Sequence, residues 1–213
     1  MQFGKSKFLC NIILFSFQNL KTFFMDTFVH IKTVIGIILS ISIALLLQGT
    51  VKLIQHPGRT KPYWVHLLWA LYVFLILIHF WWWEYKLKQI SEWIFPEYFF
   101  IIMYIMIYYV LCALLFPSDL NDYNGSFENY FYSRKKWFFG VLAFSYVADF
   151  IDTFIKGKQY LASFSWEYPI RAIAHIVLCI VAMQTNNKKF HSTIVILFIL
   201  YEITYILRMY LVV

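Results

Sequence analysis

The chain has 213 residues, of which 62% are hydrophobic, 22% aromatic and only 14% charged, with a mean hydropathy of +0.66. A soluble chain of this length needs far more charge to cover its surface, so an ordinary soluble domain is excluded. The formal charge of +7 is scattered between apolar runs, which fits loops meeting anionic lipid headgroups rather than a nucleic-acid patch.

Residues 1–30 read as an N-terminal leader. Its run FLCNIILFSFQNL is too short to span a bilayer and lacks a small-residue cleavage site. An interfacial helix is the preferred reading, beside an uncleaved signal-like segment or an extension upstream of Met25. A first spanning helix is expected over about 31–55, where Gly36, Ser40, Ala44, Gln48 and Lys52 recur every four residues. The small members of that stripe allow close helix packing, and Gln48 and Lys52 make its far end polar. The segment HPGRTKP (56–62) breaks the helix. A second helix, about 63–85, is bracketed by Tyr63 and Trp64 at one end and by Trp81, Trp82 and Trp83 at the other, as expected of interface anchors. A third, about 97–116, is closed by Pro117, and residues 31–117 form a first three-helix unit.

The stretch 118–136 reads as a polar loop, acidic first and basic last. The fourth helix, WFFGVLAFSYVADFIDTFIK (137–156), can cross a bilayer, yet it places Ser145, Asp149, Asp152 and Lys156 on one helical stripe. A carboxylate facing lipid costs several kcal/mol, so the stripe should face protein or water. Helices over about 168–184, carrying Arg171 and His175, and 192–213, carrying Glu202 and Arg208, complete a second unit spanning 137–213. The fold class is therefore an all-α integral membrane protein of six transmembrane helices plus a short N-terminal interfacial helix.

A shift of 104 residues lays the first helix on the fourth, matching Gly36 with Gly140, Ala44 with Ala148, Lys52 with Lys156 and Gln55 with Gln159, with Gln48 on Asp152. Because each unit has an odd number of helices, such a repeat would be inverted in the membrane, and its polar residues should meet near a pseudo-two-fold axis. The alternative is that apolar helices resemble one another by composition. Outside the leader, Lys and Arg divide eight to seven between the two sides, so the charge bias gives orientation little to act on; the first turn is placed in the cytoplasm.

Asp149 and Asp152 are the leading functional candidates. Paired carboxylates in a low dielectric suit proton or cation exchange, with Lys156, Gln48, Lys52, Arg171, Glu202 and Arg208 in support. The structural alternative pairs Asp152 with Lys156 one turn on and Asp149 with Arg171 or Arg208, locking helices together; Lys52 would then snorkel to the interface. A different hypothesis uses His66, His79, His175 and His191 as axial ligands of haem b, as in b-type cytochromes, against hydrogen-bonding histidines at interfaces. Cys112 and Cys179 sit in apolar runs as small packing residues, and no disulfide framework is expected. No phosphate loop, HExxH, paired CxxC or nucleophile elbow is present, so no catalytic residue is assigned.

The segments RTKPYWVHLLWALYVF (59–74), RKKWFFGVLAF (134–144) and DFIDTFIKG (149–157) resemble a group of uncharacterised small bacterial inner-membrane proteins, over about residues 30–213. That resemblance implies a multi-pass protein of the cell inner membrane and carries no activity. The leading expectation is a small transporter or channel for an ion, proton or small solute, in contact with the lipid bilayer and plausibly a homodimer. The alternatives are a haem-binding cytochrome and a non-transporting assembly or defence component.

Overall fold

The computed structural model describes residues 3–56, 58–90 and 92–210, with side chains described from Thr27 onward. The chain is all-helical, with 85% of it in helix and no strands among the described residues. Its helices are α1 (Phe3–Gln55), α2 (Trp64–Trp83), α3 (Phe95–Leu115), α4 (Phe127–Ile155), α5 (Lys158–Ala162), α6 (Glu167–Gln184) and α7 (Lys188–Tyr210), with 3-10 turns at Glu84–Gln89 and Asn121–Tyr123. Six of these segments are long and apolar enough to cross a membrane, beginning with Thr27–Gln55 of α1. α1 runs unbroken from Phe3 to Gln55, so the separate short helix expected over residues 1–30 is instead continuous with the first spanning segment; the side chains before Thr27 lie outside the described residues.

α4 starts ten residues earlier than the apolar run predicts, at Phe127 rather than 137. Hydropathy marks the apolar length of a helix, whereas capping marks its start. Ser126 accepts a hydrogen bond from the Asn129 backbone N–H at 3.3 Å, satisfying one of the donors a helix start leaves free. The loop before it turns through left-handed Asn124 (φ 54°) and Gly125 (φ 66°). Its backbone is then tied to the first connection: Lys61 N–H donates to the Gly125 carbonyl at 2.7 Å and Phe127 N–H to the Lys61 carbonyl at 3.1 Å.

α2 is the most enclosed spanning segment, with half of its apolar window buried, and it touches α1, α3, α4 and α7. α3 bridges α1 and α4, and α4 lies along α6. The packing is aromatic. Trp69 is surrounded by Tyr72, Phe138, Phe139 and Phe198 at ring separations of 5.1–5.6 Å, mostly edge to face as ring quadrupoles prefer. Outward faces carry Ile37, Ile41, Phe144, Phe154, Ile173, Val177 and Leu200, all exposed, which suits contact with lipid.

The two three-helix sets are packed differently. α1 lies on α3, whereas α4 lies on α6 and meets α7 through side chains near its start, Glu128 with Lys188 and the rings of Phe131, Tyr132 and Phe139 with His191; α1 has no backbone approach to α4 among the described residues. The meeting of equivalent polar residues expected from the 104-residue shift is therefore not seen. The matches that suggested it are small and polar residues spaced by helical turns, a spacing that unrelated apolar helices can also share by composition.

Candidate functional site

The last turn of α4 builds the first part of the site. Lys156 caps the helix, with its backbone N–H bonded to the Asp152 carbonyl at 3.1 Å. Its Nζ donates to Asp152 Oδ2 one turn back and to Glu84 Oε1, 2.9 Å away at the start of the 3-10 turn after α2. All three side chains are buried, and the ammonium lies 5.5 Å from the centre of the Trp83 ring. One ammonium thus serves two carboxylates. Glu84 Oε2 has no hydrogen-bond partner, and the indole N–H of Trp83 lies beside the Asp152 carboxylate.

One helical turn deeper, Asp149 faces α3 and α6. The Tyr168 hydroxyl, itself bonded to Thr153 at 2.7 Å, donates to Asp149 Oδ2 at 3.0 Å, and the Tyr104 hydroxyl donates to Oδ1 at 3.4 Å. Arg171 of α6 stands between Asp149 (3.5 Å) and Glu202 of α7 (3.9 Å), with the Tyr205 ring 4.2 Å from its guanidinium carbon. Glu202 also accepts from His79 Nδ1 at 2.5 Å, which ties α7 to α2. His79, Asp149, Arg171 and Glu202 line a cavity of about 40 Å³ with Ser145, Tyr104, Tyr108 and Tyr146. A water needs roughly 10–15 Å³ and several polar partners, so this is room for a few waters.

Charge counting describes what the site can do. Glu84, Asp149, Asp152 and Glu202 are four acids, and Lys156 and Arg171 are the two permanent cations that touch them. Four carboxylates against two cations leave an excess of two negative charges if all four are ionised. Unbalanced buried charge is costly, so the cluster is completed by protons or by a small cation.

Six of the residues singled out from sequence meet here or close by: Asp149, Asp152, Lys156, Arg171, Glu202 and, from the histidine set, His79. Three do not. Gln48 and Lys52 are exposed on α1, which has no contact with α4. Arg208 is exposed at the end of α7 and pairs with Glu167 at 2.6 and 3.0 Å. Glu84 is the member that sequence reading passes over. It follows Trp81, Trp82 and Trp83, where the chain reads as membrane interface and an acid is expected in water.

The histidines proposed for haem are packed as hydrogen-bonding core groups. His66 Nε2 donates to the Leu115 carbonyl at 2.6 Å, His175 Nδ1 to the Arg171 carbonyl at 2.7 Å and His191 Nε2 to the Thr185 carbonyl at 2.9 Å. The rings of Phe116, Phe127, Tyr130 and Phe131 enclose His66 at 5.0–6.3 Å, and the cavity beside His79 is about 40 Å³. As packed, these residues do not fit a porphyrin between them.

No family model, curated protein or solved structure matches the chain, so the site is interpreted on its chemistry alone.

Proposed function

We propose that the chain is a multi-pass membrane transporter or channel that binds and passes a proton or a small cation at the Asp149–Arg171–Glu202 cluster. The observation that carries this reading is the charge count: four acids share two permanent cations, and two of those acids, Asp149 and Glu202, line with Arg171 a cavity large enough for water. Helix-to-helix ion pairing alone would be served by one cation per acid. Titratable groups at membrane depth that face a wet cavity are the usual elements of proton and ion pathways. The Lys156 clamp holds the end of α4 against the segment after α2, while Asp149 and Glu202 hold the exchangeable charge. Only 22% of the apolar window of α1 is buried, which leaves that outer face for lipid or for a second copy in a homodimer. The inner-membrane setting follows from the resemblance described above.

The test is flux in liposomes reconstituted with purified protein, read with an internal pH dye under an imposed membrane potential and, in parallel, with sodium- and potassium-sensitive dyes. Asp149→Asn and Glu202→Gln are expected to reduce flux at least about tenfold while the protein still elutes as a single species. Each keeps the shape and removes the exchangeable charge, so the loss reports the site and not the fold. Unchanged flux in both variants refutes the assignment. An absence of any flux from wild-type protein points instead to the non-transporting component.

A further inference from the structure

Above the inner cavity, at the end of the bundle formed by the α2 C-terminus, α5 and the α7 C-terminus, lies a second and larger cleft of about 530 Å³. Ligand sites for small organic molecules typically enclose about 300–1,000 Å³. Its walls are mainly aromatic: Trp82, Trp83, Tyr160, Phe164, Tyr168 and Tyr210. Trp83 is stacked on Phe164 at 5.2 Å and on Tyr168 at 6.2 Å, with interplanar angles of 27° and 18°, and Tyr160 meets Phe164 edge-on at 4.9 Å.

Ring faces in this region already draw the chain's own cations. Lys156 lies 5.5 Å from the Trp83 centroid, and Arg171 lies 4.2 Å from Tyr205 and 5.7 Å from Tyr168. No cation of the chain lies over Trp82, Tyr160, Phe164 or Tyr210 among the described residues. One buried polar group of the wall, the Tyr205 hydroxyl, has no hydrogen-bond partner. Behind Trp83 stand Asp152 and Glu84, the latter with one carboxylate oxygen free. Of the charged residues on the wall itself, Glu167 is paired with Arg208, and Lys86 is exposed.

The cleft also adjoins the ion site. Trp83 lines both cavities, and Tyr210 of the cleft is 3.4 Å from Nε2 of His79, whose Nδ1 holds Glu202.

We infer that this cleft binds an organic ammonium cation, its alkyl groups held against the aromatic faces and its charge drawn by the acid-rich cluster behind Trp83. Electron-rich ring faces attract such cations without requiring them to shed a tightly held hydration shell. The carboxylates behind the wall favour a cation over a neutral molecule of the same shape. The ammonium could be a free solute or the headgroup of a lipid, since the cleft is at the end of the bundle. The inference goes beyond the transport reading by adding a second site beside the ion site, and binding to the cleft is measurable without transport.

The test is a titration of purified protein in detergent, followed by tryptophan fluorescence. The probe is benzyltrimethylammonium, compared with its neutral carbon isostere neopentylbenzene. Saturable quenching is expected for the cation, with at least about tenfold weaker binding of the isostere. Tyr160→Leu and Phe164→Leu should each weaken the cation several-fold and leave the isostere unchanged. Equal binding of the two probes, or no saturable quenching, overturns the inference without reference to any variant's folding. Competition by choline supports a free solute. Competition by dihexanoylphosphatidylcholine alone supports the lipid headgroup, with the ammonium chemistry retained in both cases. The two proposals fail separately: cation binding without flux refutes transport and keeps the cleft, whereas proton flux without cation binding refutes the cleft and keeps the ion site.

Discussion

Lys156 is the residue on which the local electrostatics turn. Its single ammonium stands between Glu84 and Asp152, and removing it leaves two buried acids with no cation. Breaking a buried pair from one side costs more than replacing the whole group with neutral side chains. Lys156→Met is therefore expected to destabilise the protein by about 3–5 kcal/mol, read as a lower melting temperature in detergent. Adding Glu84→Gln and Asp152→Asn should restore much of that loss. A triple variant no more stable than Lys156→Met would show that the clamp acts through packing and not charge. Asp149, Asp152 and Lys156 were legible as a stripe because three- and four-residue spacing on one helix needs no tertiary knowledge. Glu84 was not, because its burial is created by α4 and by the turn that folds under α2. Arg208 was misplaced for the reverse reason: it looks intramembrane by position, but the last turn of α7 is at the surface, where Glu167 takes it.

Helix positions were readable from apolar length, and helix contacts were not. The stripe of small residues on α1 does mark a close approach. A Cβ on Gly36 would come within 3.3 Å of the Trp81 ring, and a Cβ on Gly49, outside that stripe, would run into the Phe116 ring. Gly140 of α4 has only Met183 nearby, at an ordinary 3.7 Å. Gly49→Ala should thus cost about 1–3 kcal/mol by overpacking α1 against the end of α3. Gly140→Ala is expected to be neutral or slightly stabilising, since alanine is the better helix former. Thermal unfolding of the two variants side by side checks this, and an equally large loss at Gly140 would contradict the packing described. The same comparison explains the repeat that sequence suggested: Gly36 and Gly140 align by shift, yet one meets an indole and the other open packing.

At the scale of the molecule, one end of the bundle gathers the charge and the aromatic cleft. The core towards the other end is closed by Trp69, Phe138, Phe139 and Phe198. A pathway across the protein would have to open that layer, so flux should be slow compared with that of an open pore. The arrangement has meaning only if α4 carries its acids at hydrocarbon depth while its opposite face meets lipid. Phe144, 59% exposed and five residues before Asp149, lies on that outward face. A spin label at Phe144→Cys, in a background without the native cysteines and reconstituted in liposomes, reads the depth directly through collisions with oxygen and with a water-soluble nickel chelate. High oxygen and low nickel accessibility is the predicted result; free access of the nickel chelate would place α4 in water and contradict the account.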